Sequence, residues 1–470
     1  MGEDTIVRRS LRSEIQKNVK ENGFTLSKLS ELSGISTGHL SEMLNSNPPR
    51  AITVNQLDAM ATAFGFAPGW LYELYPEECL SEGKISRPRL VPYLVRCAEI
   101  GQKDCIEAAV SKLLENPKYI TILFAVAEQL FESKKWKESV PFYESVIDNE
   151  KDSHSHQFVI SHYRLFRAVQ GTNSEENWKA VIRFESYRKR LLENYQLDAL
   201  LQLANVCYTL RRWKDVEKYA DELRELATIV YEDELRKRNS SKSSESFKAE
   251  RHLVVYYGQG FLLKAEALKR QGFYKAAKQY VQGYSDLGWF EIMDETGQRE
   301  VEKFRVWAKI NSYTLDLLVG NLEVLSECIS FLDAHPAEVF PALVTIMECA
   351  NKHRFGVDEI LERFSEYFSY TDDNLNNFSV SQHFRFRYQK AIYEYQRDRF
   401  INGLDETLRC LALADKMSNH QAFKQCISLF EKNRKYASRS QMITYHTIIE
   451  GGTQSNESSG TLINSDVGIV

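Results

Sequence analysis

The chain has 470 residues, 43% of them apolar and 27% charged, with a net charge of −5. That length allows about three ordinary domains, or one architecture stretched by repeats, and that balance excludes a disordered chain. No apolar run reaches membrane length, and the front of the chain, with Glu3, Asp4, Arg8, Arg9 and Arg12, lacks the apolar stretch of a secretion signal. Eight cysteines at 79, 97, 105, 207, 328, 349, 410 and 426 form no CxxC pair, so a zinc ribbon or thioredoxin-type site has no support and a reduced, cytoplasmic protein is expected. Residues 1–50 carry seven Lys/Arg against six Asp/Glu, and the only basic excess lies there.

Short helices are predicted first. Thr5 or Asp4 caps a helix reaching Glu21, with Leu11, Ile15 and Val19 inward and Asn22-Gly23 as its stop. Thr25 caps a second, with Leu29 and Leu32 facing the core, and Ser33-Gly34-Ile35 makes a turn. Ser36 caps a third, with Leu40, Met43 and Leu44 inward, ending at Asn45 to Pro49. Thr53 caps a fourth that carries Val54, Leu57, Met60, Ala61 and Phe64, with Gly65 as its C-cap. A short fifth runs from Pro68 through Tyr75, closing a domain of residues 1–80 before a linker at 81–90.

Residues 91–450 read as helix throughout. Seven of ten prolines fall at or before Pro117, and none lies between Pro141 and Pro336. Proline costs about 3 kcal/mol inside a helix and cannot donate to a central strand, so so long a proline-free stretch reads as helical. Apolar residues recur at three- and four-residue spacing, as at Ile122, Leu123, Ala125, Val126 and Leu130. An aromatic-Lys-x-small pattern returns at Trp136, Trp178, Trp213 and Tyr274, with steps of 42, 35 and 61 residues, and Phe400 opens a similar turn. Helix pairs repeating at such periods build an α-solenoid. The polar run Arg238 to Ser246 is expected to be a loop or frayed helix end, and residues 451–470 a disordered tail. The fold class is all-α: a helix-turn-helix domain followed by a right-handed solenoid.

Residues 25–65 resemble the Xre/Cro-like helix-turn-helix family, whose spacing is followed from Thr25 through the Gly34 turn to Asn45. The resemblance implies DNA binding, with the helix after Gly34 presenting Thr37, Gly38, His39, Ser41 and Glu42 to a major groove. Phosphate contacts fall to Lys28, Arg50 and whichever of Arg8, Arg9, Arg12, Lys17 and Lys20 face the duplex. Leu26 stands where the family often has Gln, and Glu42 sits near phosphates unless it accepts from a cytosine amine. So few cations imply weak binding by one copy, and hence a dimer on two half-sites of double-stranded operator DNA.

The later repeats resemble tetratricopeptide repeats, and the whole layout resembles the RRNPP group of peptide-pheromone receptors. That resemblance implies a homodimer, a short signalling peptide on the concave face and peptide-controlled DNA binding. The first helix of each pair would make the inner wall. Counting back from the turn aromatics gives Gln170, Asn205 and Glu266 at eight residues, Tyr163, Asp198 and Gln259 at fifteen, and Phe131, Tyr208 and Lys269 at five, with Arg270 adjacent; counting back from Phe400 gives Arg385, Tyr388 and Tyr395. A side-chain amide such as Asn205 can pair with both groups of a peptide bond, or instead bond helix to helix within the stack. The cations suit a carboxylate terminus or acidic side chains.

No Walker loop, GxSxG elbow or HExxH occurs, and His154-Ser155-His156 has no partner at metal-ligand spacing, so no enzyme, cofactor or metal is expected. Two function classes remain: a ligand-controlled transcription factor, or a protein-interaction scaffold whose front domain is not a specific DNA reader.

Overall fold

The structure, a computed structural model, describes residues 9–81, 84–171, 173–239, 247–368, 377–417 and 419–451. Among these the chain is helical apart from one antiparallel ladder of β1 (Leu80–Ser81) with β2 (Lys84–Ile85). Two compact units are present, Met1–Val169 and Gln170–Val470.

The first unit opens with α1 (Leu11–Glu21), α2 (Leu26–Ser33), α3 (Thr37–Asn45) and α4 (Val54–Ala63). Ser10, Thr25, Ser36 and Thr53 cap them, each side-chain oxygen accepting from the backbone N–H three residues on and so satisfying one of the helix's orphan donors. The first cap is Ser10 rather than Asp4 or Thr5, because Ser10 and Ser13 close a reciprocal capping box; residues 1–8 lie outside the described ones. Leu29 is buried but Leu32, expected inward, is 44% exposed, since it stands on the last turn before the left-handed Gly34. The helix expected over Pro68 to Tyr75 is instead a series of three-residue turns. Leu71 sits at φ 58, which interrupts any helical run, and α5 (Pro76–Cys79) follows.

The unit continues with α6 (Arg87–Glu99), α7 (Lys103–Leu114), α8 (Ile120–Glu132), α9 (Trp136–Asn149) and α10 (His156–Ala168). The span assigned to a linker, residues 81–90, holds part of the ladder and the first turn of α6. Tyr93 of α6 is fully buried, stacks on Tyr75 at 4.9 Å and donates to the Tyr72 carbonyl, while Arg96 reaches Asp58 of α4 at 2.8 Å. A single apolar core therefore joins the first helices to α6 and the pairs beyond.

The second unit holds α11 (Ser174–Glu185), α12 (Glu193–Thr209), α13 (Trp213–Asn239), α14 (Leu253–Arg270), α15 (Tyr274–Ser285), α16 (Glu295–Leu318), α17 (Leu325–Ala334), α18 (Val339–His353), α19 (Asp358–Arg363), α20 (Asn377–Gln396), α21 (Phe400–Lys416), α22 (His420–Asn433) and α23 (Arg439–Gly451). Each of α12 to α15 packs on its successor, and the alternate helices α12, α14, α16, α18 and α20 touch in series. Contact restricted to near neighbours in the chain is the mark of a helical repeat. Residues 240–246 and 452–470, expected to be a loop and a tail, lie outside the described residues.

One turn recurs between paired helices. Lys134, Arg211, Gly272 and Asp398 all lie in the left-handed region, at φ 62, 57, 83 and 58. The next residue's N–H then bonds back five residues, as from Lys135 to Leu130, Arg212 to Cys207, Phe273 to Leu268 and Arg399 to Glu394. This Schellman closure satisfies a terminal carbonyl of the first helix. The aromatic that follows, Trp136, Trp213, Tyr274 or Phe400, is the first residue of the second helix. Trp178 departs from the frame, standing within α11, where its ring is covered by the Arg212 guanidinium at 3.6 Å.

Candidate functional site

The local sequence of α3 separates its two faces. Leu40, Met43 and Leu44 are buried, while Thr37, Gly38, His39 and Glu42 are exposed and Ser41 is half-buried. The exposed side chains are short or polar, which lets a helix approach base edges closely. The Ser36 cap leaves the first backbone N–H groups of α3 at an open helix N-terminus, where a phosphate is favoured.

Glu42 has a partner that its spacing did not reveal. Arg50 donates from its guanidinium to the Glu42 carboxylate at 2.7 Å and from its backbone N–H to the Glu42 carbonyl at 3.0 Å. The Arg50 hydrogen bond holds the Glu42 carboxyl below the ordinary carboxylate range. The acidic group expected to repel phosphates is thus neutralised by the cation expected to bind them. Lys28 is similarly engaged by Glu31 at 3.0 Å.

The far end of α3 is held by α1. Arg12 donates to the carbonyls of Met43 and Arg50 and pairs with the buried carboxylate of Glu78, which also accepts from the Ile52 N–H at 3.1 Å. Gln16 donates to the Leu44 carbonyl at 2.7 Å. Arg12, an expected candidate for phosphate contact, is committed inside the domain, and Arg9 pairs with Glu14 and Glu73. Lys17 and Lys20 are exposed.

Residues 14–77 match the family model of the Cro/C1-type helix-turn-helix DNA-binding domain. The chain therefore carries a helix-turn-helix DNA-binding domain of that type, and α3 lies within it. A search of the curated proteins finds no match. Among solved structures, one that matches is described as a circular tandem repeat protein with novel repeat topology and enhanced subunit contact surfaces; it is 15% identical over 94% of this chain and 90% of that one, with a TM-score of 0.16. No helix among the described residues is long and apolar enough to cross a membrane.

Beyond the Cro/C1-type domain, the residues counted back from the turn aromatics fall on the first helix of each pair, except Gln170. Tyr163 of α10 is wholly enclosed, and Gln170 follows that helix, half-buried. Asn205 and Tyr208 lie on α12, and Gln259, Glu266, Lys269 and Arg270 on α14. Asn205 Oδ1, Gln259 Oε1 and the Gln202 Nε2 atom are buried with no hydrogen-bond partner. Gln202 was not singled out in the sequence, although it stands three residues before Asn205 and so shares its face.

Lys269 pairs with Glu266, Arg270 lies 3.6 Å from the same carboxylate and donates to the Tyr208 hydroxyl at 3.1 Å, and Arg385 of α20 pairs with Glu348 of α18 at 2.5 Å. Burial pushes the Glu266 carboxyl up, but Lys269 and Arg270 outweigh it and leave the group below its ordinary range. Lys269, Arg270 and Arg385 line one cavity, although more than a hundred residues separate the last from the others. Tyr388 lies on the same helix one turn on, half-buried and stacked on Phe384 at 5.9 Å. The imidazoles of His154 and His156 flank Ser155, which caps α10.

Proposed function

We propose that this chain is a cytoplasmic, non-enzymatic transcription regulator, a homodimer of the RRNPP kind, whose DNA binding is controlled by a short peptide. The peptide would lie along the first helices of its tetratricopeptide-like repeats. For DNA reading the support is the exposed polar face of α3 within the Cro/C1-type domain. For the peptide it is the row of buried, unpartnered side-chain amide atoms on α12 and α14. An unmet buried polar atom costs roughly 1–3 kcal/mol, and a main chain laid across it would recover that cost.

Selection of bound sequences from random duplex DNA tests the first half. The chain should enrich two half-sites, and His39→Ala with Ser41→Ala should erase the preference while the melting curve stays put. A preference that survives would remove α3 from the recognition role. For the second half, Asn205→Ala should weaken retention of a synthetic peptide library without lowering the melting temperature. A collapse of folding would mark Asn205 as a structural bond between helices.

A further inference from the structure

The turn between α22 and α23 concentrates positive charge in a chain whose net charge is −5. Residues 432–439 include Lys432, Arg434, Lys435 and Arg439, all exposed, and neither Asp nor Glu. Arg434 pairs with Glu431 at 3.3 Å, and among the described residues no carboxylate pairs with the other three. Lys432 lies in the last turn of α22, where the negative end of the helix dipole favours a cation. Arg439 has no such reason to be where it is. It is the first residue of α23, at the positive end of that dipole, so its own helix disfavours it and an anion from outside would offset the cost.

Apolar side chains stand beside these cations. The exposed Tyr436 ring stacks on Phe400 of α21 at 3.8 Å, with the Lys435 ammonium 4.8 Å from its centre. Ile401, next to Phe400, is 53% exposed. Ile443 lies four residues after Arg439 on α23, hence on the same face, and is 61% exposed. One exposed isoleucine is ordinary; aliphatic and aromatic groups interleaved with unpaired cations narrow the choice of partner. A nucleic acid would take up the cations through its phosphates and leave Ile401 and Ile443 in water. A lipid surface uses both kinds of group. Lysine and arginine meet anionic head groups, tyrosine sits at the boundary, and aliphatic side chains enter the edge of the acyl layer.

We infer that the α22–α23 turn is a docking surface for an anionic lipid bilayer, with Lys432, Lys435 and Arg439 on the head groups and Ile443 entering the acyl boundary. The attachment is peripheral and reversible. Each cation close to such a surface strengthens binding about fivefold, so the three unpaired ones together give roughly a hundredfold preference for anionic over neutral lipid.

Sedimentation of the full chain with vesicles tests it. The vesicles are phosphatidylcholine alone or phosphatidylcholine mixed with phosphatidylglycerol, and the chain without vesicles controls for self-association. Binding to the mixed vesicles should exceed binding to the neutral ones by roughly a hundredfold and fall as salt rises. Lys432→Gln with Lys435→Gln and Arg439→Gln should remove that preference. Ile443→Ser changes no charge and should weaken binding to the mixed vesicles about tenfold. All four positions are exposed, so both variants should melt with the parent. Equal sedimentation with the two kinds of vesicle, or with none, overturns the inference. So does an Ile443→Ser variant that binds as well as the parent, since the contact would then be one of charge alone. If the triple variant keeps its vesicle binding but loses affinity for a duplex of random sequence, the turn serves a nucleic acid and the inference falls as well.

Discussion

Glu217 shows how a single carboxylate ties the second unit to pH. Burial pushes its pKa up, but hydrogen bonds from Gln271, Lys214 and Lys264 overcome that and hold it at about 2, below its ordinary 4.5. A carboxyl whose pKa is depressed on folding contributes stability above its unfolded value and loses it as the folded form is protonated. The contribution of Glu217 is therefore complete above pH 4.5 and fades as the pH falls toward about 2. Glu217→Gln should lower the melting temperature at neutral pH and flatten its decline between those two values, as followed by circular dichroism; an acid limb as steep as the parent's would show that the ion cluster around Lys264 contributes nothing. Legibility at this scale follows sequence distance. Counting within a repeat places Asn205 on α12 and Lys269 and Arg270 on α14, because helical periodicity fixes which residues share a face. Glu78 is beyond such counting: its partner Arg12 is 66 residues away, and no local pattern announces a contact of that span. For the same reason the pairing of Arg50 with Glu42 escaped a reading of α3 alone.

At the scale of elements, caps carried most of the information. Thr25, Ser36 and Thr53 lead their helices as expected, and the apolar spacing of α3 and α4 predicted their buried faces. The left-handed position two residues before each turn aromatic was hidden, because Lys134, Arg211 and Asp398 fill it where Gly272 alone has the favoured residue. A residue with a Cβ pays about 1 kcal/mol in that conformation. Lys134 is exposed and its turn is closed by the Lys135 to Leu130 bond, so Lys134→Gly should raise stability by about 0.5–1 kcal/mol, while Gly272→Ala should lower it by about 1 kcal/mol. Urea titration of both variants decides it. Should Lys134→Gly destabilise as much as Gly272→Ala, the shared geometry of the two turns would not be the source of the strain.

For the molecule as a whole, charge sets the terms on which it meets DNA. Residues 9–81 hold six Lys/Arg and eight Asp/Glu, a net of −2, so the described part of the Cro/C1-type module is acidic even though the first fifty residues are slightly basic. Of its six cations, Arg12 is committed to the buried Glu78 and Arg9 is shared between Glu14 and Glu73, which leaves Lys17, Lys20, Lys28 and Arg50 on the outside, the last two able to meet a phosphate only by exchanging Glu31 and Glu42 for it. If each neutralises one phosphate, the logarithm of the binding constant should fall against log salt with a slope of about −4 for one copy and about −7 for two copies on paired half-sites. A mobility-shift titration from low to moderate salt on the selected duplex reads that slope directly. A value near −7 supports two modules acting together, and one near −4 means that a single module suffices and the homodimer is not needed for DNA binding. A slope close to zero would remove the phosphate contacts altogether. Glu42→Gln sharpens the measurement: it removes the carboxylate that competes with phosphate for Arg50, so it should strengthen binding to all sequences alike while the salt slope, which already counts Arg50, stays the same, whereas a Glu42 that reads a cytosine would instead lose preference at one base pair.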